Sequence, residues 1–188
     1  MSIKKKKVQQ KIADYLFRKE LQKQHRHPRS VSFDRALKIG ILYDATYEED
    51  YEVIKKYVKS MRDLQKDVLA LGYIDQKEMP NMRFSKLGLD FFTFKNLTWL
   101  LKPNHPMVDK FTQVHFDILI NLNIHHCFPL KYLASITKAN FKIGRYEGRH
   151  HQYCDFMIKT NDKVTLAAFI ELVDKYLKHI GNAHVRTA

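Results

Sequence analysis

Residues 36–75 read ALKIGILYDATYEEDYEVIKKYVKSMRDLQKDVLALGYID, and this stretch decides the fold class. Its opening run, Ala36 to Tyr43, is apolar apart from Lys38 and stops at Asp44, the pattern of a strand buried on both faces. Thr46 followed by Glu49 has the spacing of a capping box. Behind it Tyr51, Ile54, Val58 and Met61 recur at helical intervals, which predicts a helix over 47–64. Val68 to Ile74 is a second apolar run, ending at Asp75. Strand, helix, strand is a βαβ unit, and its two strands are parallel because the helix carries the chain back to its starting end.

The same alternation continues downstream. Residues 76–89 form a polar, irregular connection, and 90–95 (DFFTFK) is a strand. Asn104 and Pro106 suggest an N-cap and first turn, with Met107, Phe111 and Val114 on one face of the helix that follows. Residues 117–124 (DILINLNI) are a strand and 129–139 a short helix. Residues 141–146 and 156–159 are two further strands whose pairing could be a hairpin. Leu166, Phe169, Ile170, Val173, Leu177 and Ile180 trace one face of a last helix. The expected architecture is α/β: a mostly parallel, possibly mixed sheet with helices on both faces, Rossmann-like or flavodoxin-like, plus an N-terminal basic helix.

Charge is distributed unevenly. The chain of 188 residues carries a net +13, yet residues 1–38 hold twelve cations against three anions, +9 of that total. Val8, Ile12, Tyr15, Leu16 and Leu21 fall roughly on one helical face among the lysines, so an amphipathic helix is expected over about 7–24, ending before Pro28. The expected organisation is a basic arm over 1–31, a single α/β domain over 32–181 and a loose tail over 182–188. No apolar run reaches the roughly 18–20 residues of a membrane span, and no secretory leader follows the lysines. The location expected is therefore the cytoplasm, where Cys127 and Cys154 would be reduced thiols in a core rather than a disulfide.

Chemistry belongs at the carboxyl ends of the strands, where open α/β sheets bind ligands. The polar residues expected there are Asp44, Asp75, Asn121, Asn123, Arg145 and Glu147, with Asp44, Asp75, Asn123 and Arg145 the candidate ligand site. Two carboxylates and an arginine suit acid–base or phosphate chemistry, but polar residues also end strands for purely structural reasons. Glycine-rich phosphate loops are missing, as is a nucleophile elbow, and the six glycines leave little material for either. No catalytic residue, cofactor or metal is assigned, and enzyme activity is not expected. His125-His126-Cys127 and His150-His151 with Cys154 offer zinc-type donors, but at no zinc-site spacing. No aromatic pattern of the RNA-recognition-motif type is present.

The stretches 116–122 (FDILINL), 132–137 (YLASIT), 139–146 (ANFKIGRY) and 154–158 (CDFMI) resemble an uncharacterised bacterial family of small α/β proteins. The resemblance covers most of residues 36–180 and implies the fold, with no activity to carry over. The same cadence is similar to half of a nucleotide-sugar glycosyltransferase, without the phosphate-binding turns of those enzymes.

Three functions are compatible with these features. The first is noncatalytic binding of a polyanion, RNA or the ribosome, through Lys4, Lys5, Lys6, Lys7, Lys11, Arg18, Lys19, Lys23, Arg26 and Arg29. The second is a small enzyme or ligand-binding domain using the strand ends. The third is a module whose N-terminal helix docks on an acidic protein partner or membrane surface. The charge concentration places them in that order.

Overall fold

The apolar runs of the sequence become the strands of one sheet, and helical segments at 48–63, 106–113 and 128–136 lie between successive strands. The computed structural model describes residues 3–22, 27–77, 88–148 and 153–180. The strands are β1 (Lys38–Asp44), β2 (Asp67–Ile74), β3 (Leu89–Thr93), β4 (Phe116–Asn121), β5 (Ala139–Arg145) and β6 (Phe156–Ile158). The helices are α1 (Ile3–Gln22), α2 (Glu48–Asp63), α3 (Pro106–Gln113), α4 (Phe128–Ile136) and α5 (Leu166–Ile180). The expected connection over 76–89 and the tail over 182–188 fall largely or wholly outside the described residues.

The strand order is β3-β2-β1-β4-β5-β6, and every pairing in it is parallel. This is the Rossmann order, with the winding reversing between β1 and β4. Register puts Asp44 beside Tyr73 of β2, and Leu42 beside Asn121 of β4. The last two strands do not form a hairpin, and the sheet is not mixed. Ile143 pairs with Phe156 and Arg145 with Ile158 in parallel.

Alternation along the strands sorts side chains into two cores. Ile39, Ile41 and Tyr43 of β1, with Ile118 and Ile120 of β4, face α2 and α5. Leu42, Leu71, Tyr73 and Leu119 face the opposite layer, which includes Ala13 and Phe17 of α1, Val108 and Phe111 of α3, and Leu130 and Leu133 of α4. The periodic face read for α5 is buried as expected from Leu166 to Leu177. Two N-caps differ from expectation. Helix α2 is capped at Tyr47 without a side-chain bond, since the Thr46 hydroxyl instead accepts the Asp75 N–H at 3.0 Å. Helix α3 is capped by His105, whose Nδ1 accepts the Met107 N–H at 3.3 Å.

The N-terminal helix departs most from its sequence reading. Its buried positions are Gln9, Ala13 and Phe17, spaced four apart, whereas Val8 (56%), Ile12 (37%) and Tyr15 (57%) are exposed. Phe17 sits among the rings of Phe128, Tyr132 and Tyr153, with centroid distances of 5.8, 6.3 and 6.5 Å. The helix is docked, and its buried stripe departs from the predicted face at Val8, Ile12 and Tyr15, while Leu21 of that face does pack on the core. Ring packing at position 17 outweighs the burial of three smaller or more polar side chains.

Candidate functional site

Three strand ends and the first turn of α4 meet α1 beyond the carboxyl edge of the sheet. They enclose a cavity of about 200 Å³. Its floor is Asp44 at the end of β1 and Tyr73 and Asp75 at the end of β2. One side is Cys127, Phe128 and Pro129 at the start of α4, preceded by His126. Gln9 and Gln10 of α1 close another side, and Phe94, Leu97 and Leu101 supply an apolar wall.

The carboxylates are held by their own turns. Asp44 Oδ1 accepts the Thr46 N–H at 2.9 Å, and Asp75 Oδ1 accepts the Tyr73 hydroxyl at 2.9 Å. The second oxygen of each makes no hydrogen bond to a described residue. Gly72 permits the turn after β1 to close over β2: a Cβ there would lie 2.8 Å from the Ala45 Cβ, well inside contact distance. Gln9 is fixed as a wall because its Nε2 donates to the Trp99 carbonyl at 2.6 Å.

Burial dominates the protonation of the site. It pushes the Tyr73 hydroxyl far above its ordinary value, with Asp75 adding to the effect, so Tyr73 remains a donor. Burial likewise pushes the Cys127 thiol up, opposed by the Leu130 N–H and reinforced by the charges of Asp44, Asp75 and Glu147. Cys127 is therefore a neutral thiol rather than a ready nucleophile. Beside it, His126 Nδ1 lies 3.9 Å from Glu147 Oε2.

Asp50 in the first turn of α2 is raised by burial and then by Asp44, while His125 pulls it down. Asp44→Asn removes one raising charge and keeps an acceptor for the Thr46 N–H. Carboxyl-carbon NMR should then find Asp50 titrating lower than in the parent, whereas an unmoved midpoint would place Asp44 out of range. The sign for stability follows. A raised folded-state carboxyl contributes stability at acidic pH that is lost as pH rises through the raised value, so Asp44→Asn should soften that loss.

Of the four candidate ligand residues, the structure brings Asp44 and Asp75 together in one cavity. Asn123 is buried outside its lining: its N–H donates to Asn121 Oδ1 at 3.3 Å, its Nδ2 donates to the His125 carbonyl, and its Oδ1 has no hydrogen-bond partner among the described residues. Arg145 is turned elsewhere. Its guanidinium donates to Thr160 Oγ1 (2.8 Å), the Ile124 carbonyl (2.7 Å), the Asn161 carbonyl (3.2 Å) and Asp162 Oδ1 (3.2 Å), tying loops together. The glutamines of α1 were not legible as site residues, since nothing in their periodicity marks them off from a solvated face.

The proposed nucleic-acid contacts divide in two. Lys11, Arg18, Lys19 and Arg29 are exposed. The side chains of Lys4, Lys5, Lys6 and Lys7, and all of Lys23 and Arg26, lie outside the described residues, as do His150 and His151. Among the described residues no three His, Cys, Asp or Glu side chains meet to hold a metal ion, and no helix is long and apolar enough to cross a membrane.

A family model described as a family of unknown function, DUF6913, matches residues 6–180. The chain belongs to the DUF6913 family. The DUF6913 match begins within α1, so Gln9 and Gln10, which wall the cavity, lie inside the family's span together with the strand ends. Neither the curated proteins nor the solved structures compared with the chain give a match.

Proposed function

We propose that this protein binds a compact, hydrogen-bond-donating metabolite in the cavity at the carboxyl ends of β1 and β2. The observation that carries this reading is a pair of carboxylates, Asp44 and Asp75, each with an oxygen that no described residue engages, in a cavity with no Lys or Arg among its described lining residues. Carboxylates only accept hydrogen bonds, so the ligand supplies hydroxyl or ammonium donors, and phosphates or carboxylic acids are repelled. A volume of about 200 Å³ suits something smaller than the drug-sized ligands of pockets of about 300–1,000 Å³. The reading involves no covalent step at Cys127, because burial pushes its thiol up and leaves it a poor nucleophile.

Thermal unfolding with a panel of monosaccharides, nucleosides and polyamines, set against nucleotides, tests this. A donor-rich compound should raise the midpoint of the parent protein, at saturation by several degrees, since a concentration of 100 times Kd is worth about 2.7 kcal/mol. Asp44→Asn with Asp75→Asn should lose that shift. Stabilisation by nucleotides alone, or a shift indifferent to both substitutions, would sink the reading.

A second reading keeps the protein in the cytoplasm and associates it with RNA or the ribosome. Exposed Lys11, Arg18, Lys19 and Arg29 support it. The uncovered Val8, Ile12 and Tyr15 beside those cations would equally suit an acidic protein partner or membrane surface. It stands second because Ala13 and Phe17 commit α1 to the core rather than to a free arm.

A further inference from the structure

The opposite end of the sheet carries a groove of contrary chemistry. It has a volume of about 690 Å³ and opens between residues 27–29, the turn before β4 and the α4–β5 connection. Arg29, His27, His115 and Lys138 stand exposed around it, and no Asp or Glu is among its described lining residues. Its rim is fixed by Asn140, whose carbonyl accepts the Arg29 N–H at 2.9 Å and whose Oδ1 lies 2.9 Å from His115 Nε2. Asp117, behind Asn140, is engaged by the N–H groups of Leu37 and Lys38, each at 2.9 Å.

The groove lies at the carboxyl end of α4, where the helix dipole would repel an anion. That repulsion is answered from below. Lys142 is buried and its ammonium donates to the last carbonyls of the helix, Ala134 at 2.7 Å and Ser135 at 2.8 Å. The Ser135 and Thr137 hydroxyls also donate inward, to Tyr132 and Leu133 carbonyls. The donors left for a ligand are therefore the cations of the rim.

We propose that this groove binds the phosphodiester backbone of single-stranded RNA, with Arg29 and Lys138 as its phosphate contacts. The inference rests on the second reading above and names its site. The Asn140 amide is engaged by His115 and Asp117, so the contacts left are charges that position a backbone and carry no sequence information. Among its described lining residues there is no Phe, Tyr or Trp, and its only rings are the imidazoles of His27 and His115, so recognition is sequence-tolerant.

The test is fluorescence anisotropy of a labelled polyuridylate oligonucleotide with the full chain, titrated across salt concentrations. Arg29→Glu with Lys138→Glu should weaken binding at low salt by roughly tenfold or more. It should also make log K fall less steeply with log salt by about 1.4, two contacts at about 0.7 each. Lys56→Glu with Lys59→Glu, exposed on α2 and assigned no contact, should leave the slope near that of the parent. Arg29→Gln with Lys138→Gln guards against a folding defect and should shift the slope the same way, with parent-like circular dichroism. No binding by the parent at low salt would overturn the second reading and the groove together. Binding that the groove pair leaves unchanged, or that the α2 pair weakens equally, would leave that reading standing and overturn the groove.

Discussion

Phe17→Ala should lower folding stability by about 3–5 kcal/mol, the range for truncating a buried aromatic ring. Phe17 is 1% exposed and meets Phe128 edge-on at 5.8 Å, with Tyr132 and Tyr153 completing its surroundings. The Lys131 ammonium lies 5.1 Å from its ring centroid, a cation–π contact that alanine also removes. Urea unfolding followed by circular dichroism should show a lower midpoint with an unchanged slope. Removing residues 1–22 should do more, because it uncovers Leu130, Leu133 and Phe128 together and strips Gln9 and Gln10 from the cavity. A truncated chain that unfolds at the parental midpoint would show that α1 contributes little, and would restore the free-arm expectation for residues 1–31.

Asp14→Ala should cost about 3 kcal/mol, the lower end of the range for breaking a buried ion pair. Lys131 is fully buried on α4, and its Nζ donates to Asp14 Oδ1 at 3.0 Å across the interface with α1. Without Asp14 the ammonium is left uncompensated in an aromatic surround. The lower end applies because Asp14 itself keeps 19% of its side chain in solvent. Replacing both partners, Asp14→Leu with Lys131→Met, should recover most of the loss, since apolar pairs of similar volume often match a buried ion pair. A double-mutant cycle in urea measures the coupling. A single-variant cost under about 1 kcal/mol would mean that Lys131 reaches water or another acceptor when Asp14 is gone.

These contacts mark where local reading stops. The strands around Gly40, Leu71 and Leu119 are legible because a fully buried strand needs a continuous apolar run. The α5 face is legible because one side of a helix must repeat at helical intervals. Asp44 and Asp75 are legible as strand ends for the same local reason. The face of α1 is not, because Val8, Ile12 and Tyr15 make as good a stripe on paper as Ala13 and Phe17. Which stripe is buried depends on Phe128, Tyr132 and Tyr153, more than a hundred residues away.

The charges divide along the same line. Lys131 and Lys142 look like surface cations in sequence, and only packing reveals one paired with Asp14 and the other seated on the carbonyl end of α4. Arg145 looks like a ligand-binding cation until its guanidinium is seen spread over the loops at 124 and 160–162. By itself the sequence determined the parallel βαβ construction and the polar ends of its strands, because backbone period and side-chain burial are coupled within a few residues. Tertiary structure alone decided the parallel seating of β6, the face α1 presents, the meeting of Asp44 with Asp75 and Gln9, and the spending of Arg145. Each of those is a contact between residues distant in the chain, settled by which packing fills space and satisfies buried polar groups, and no local period encodes it.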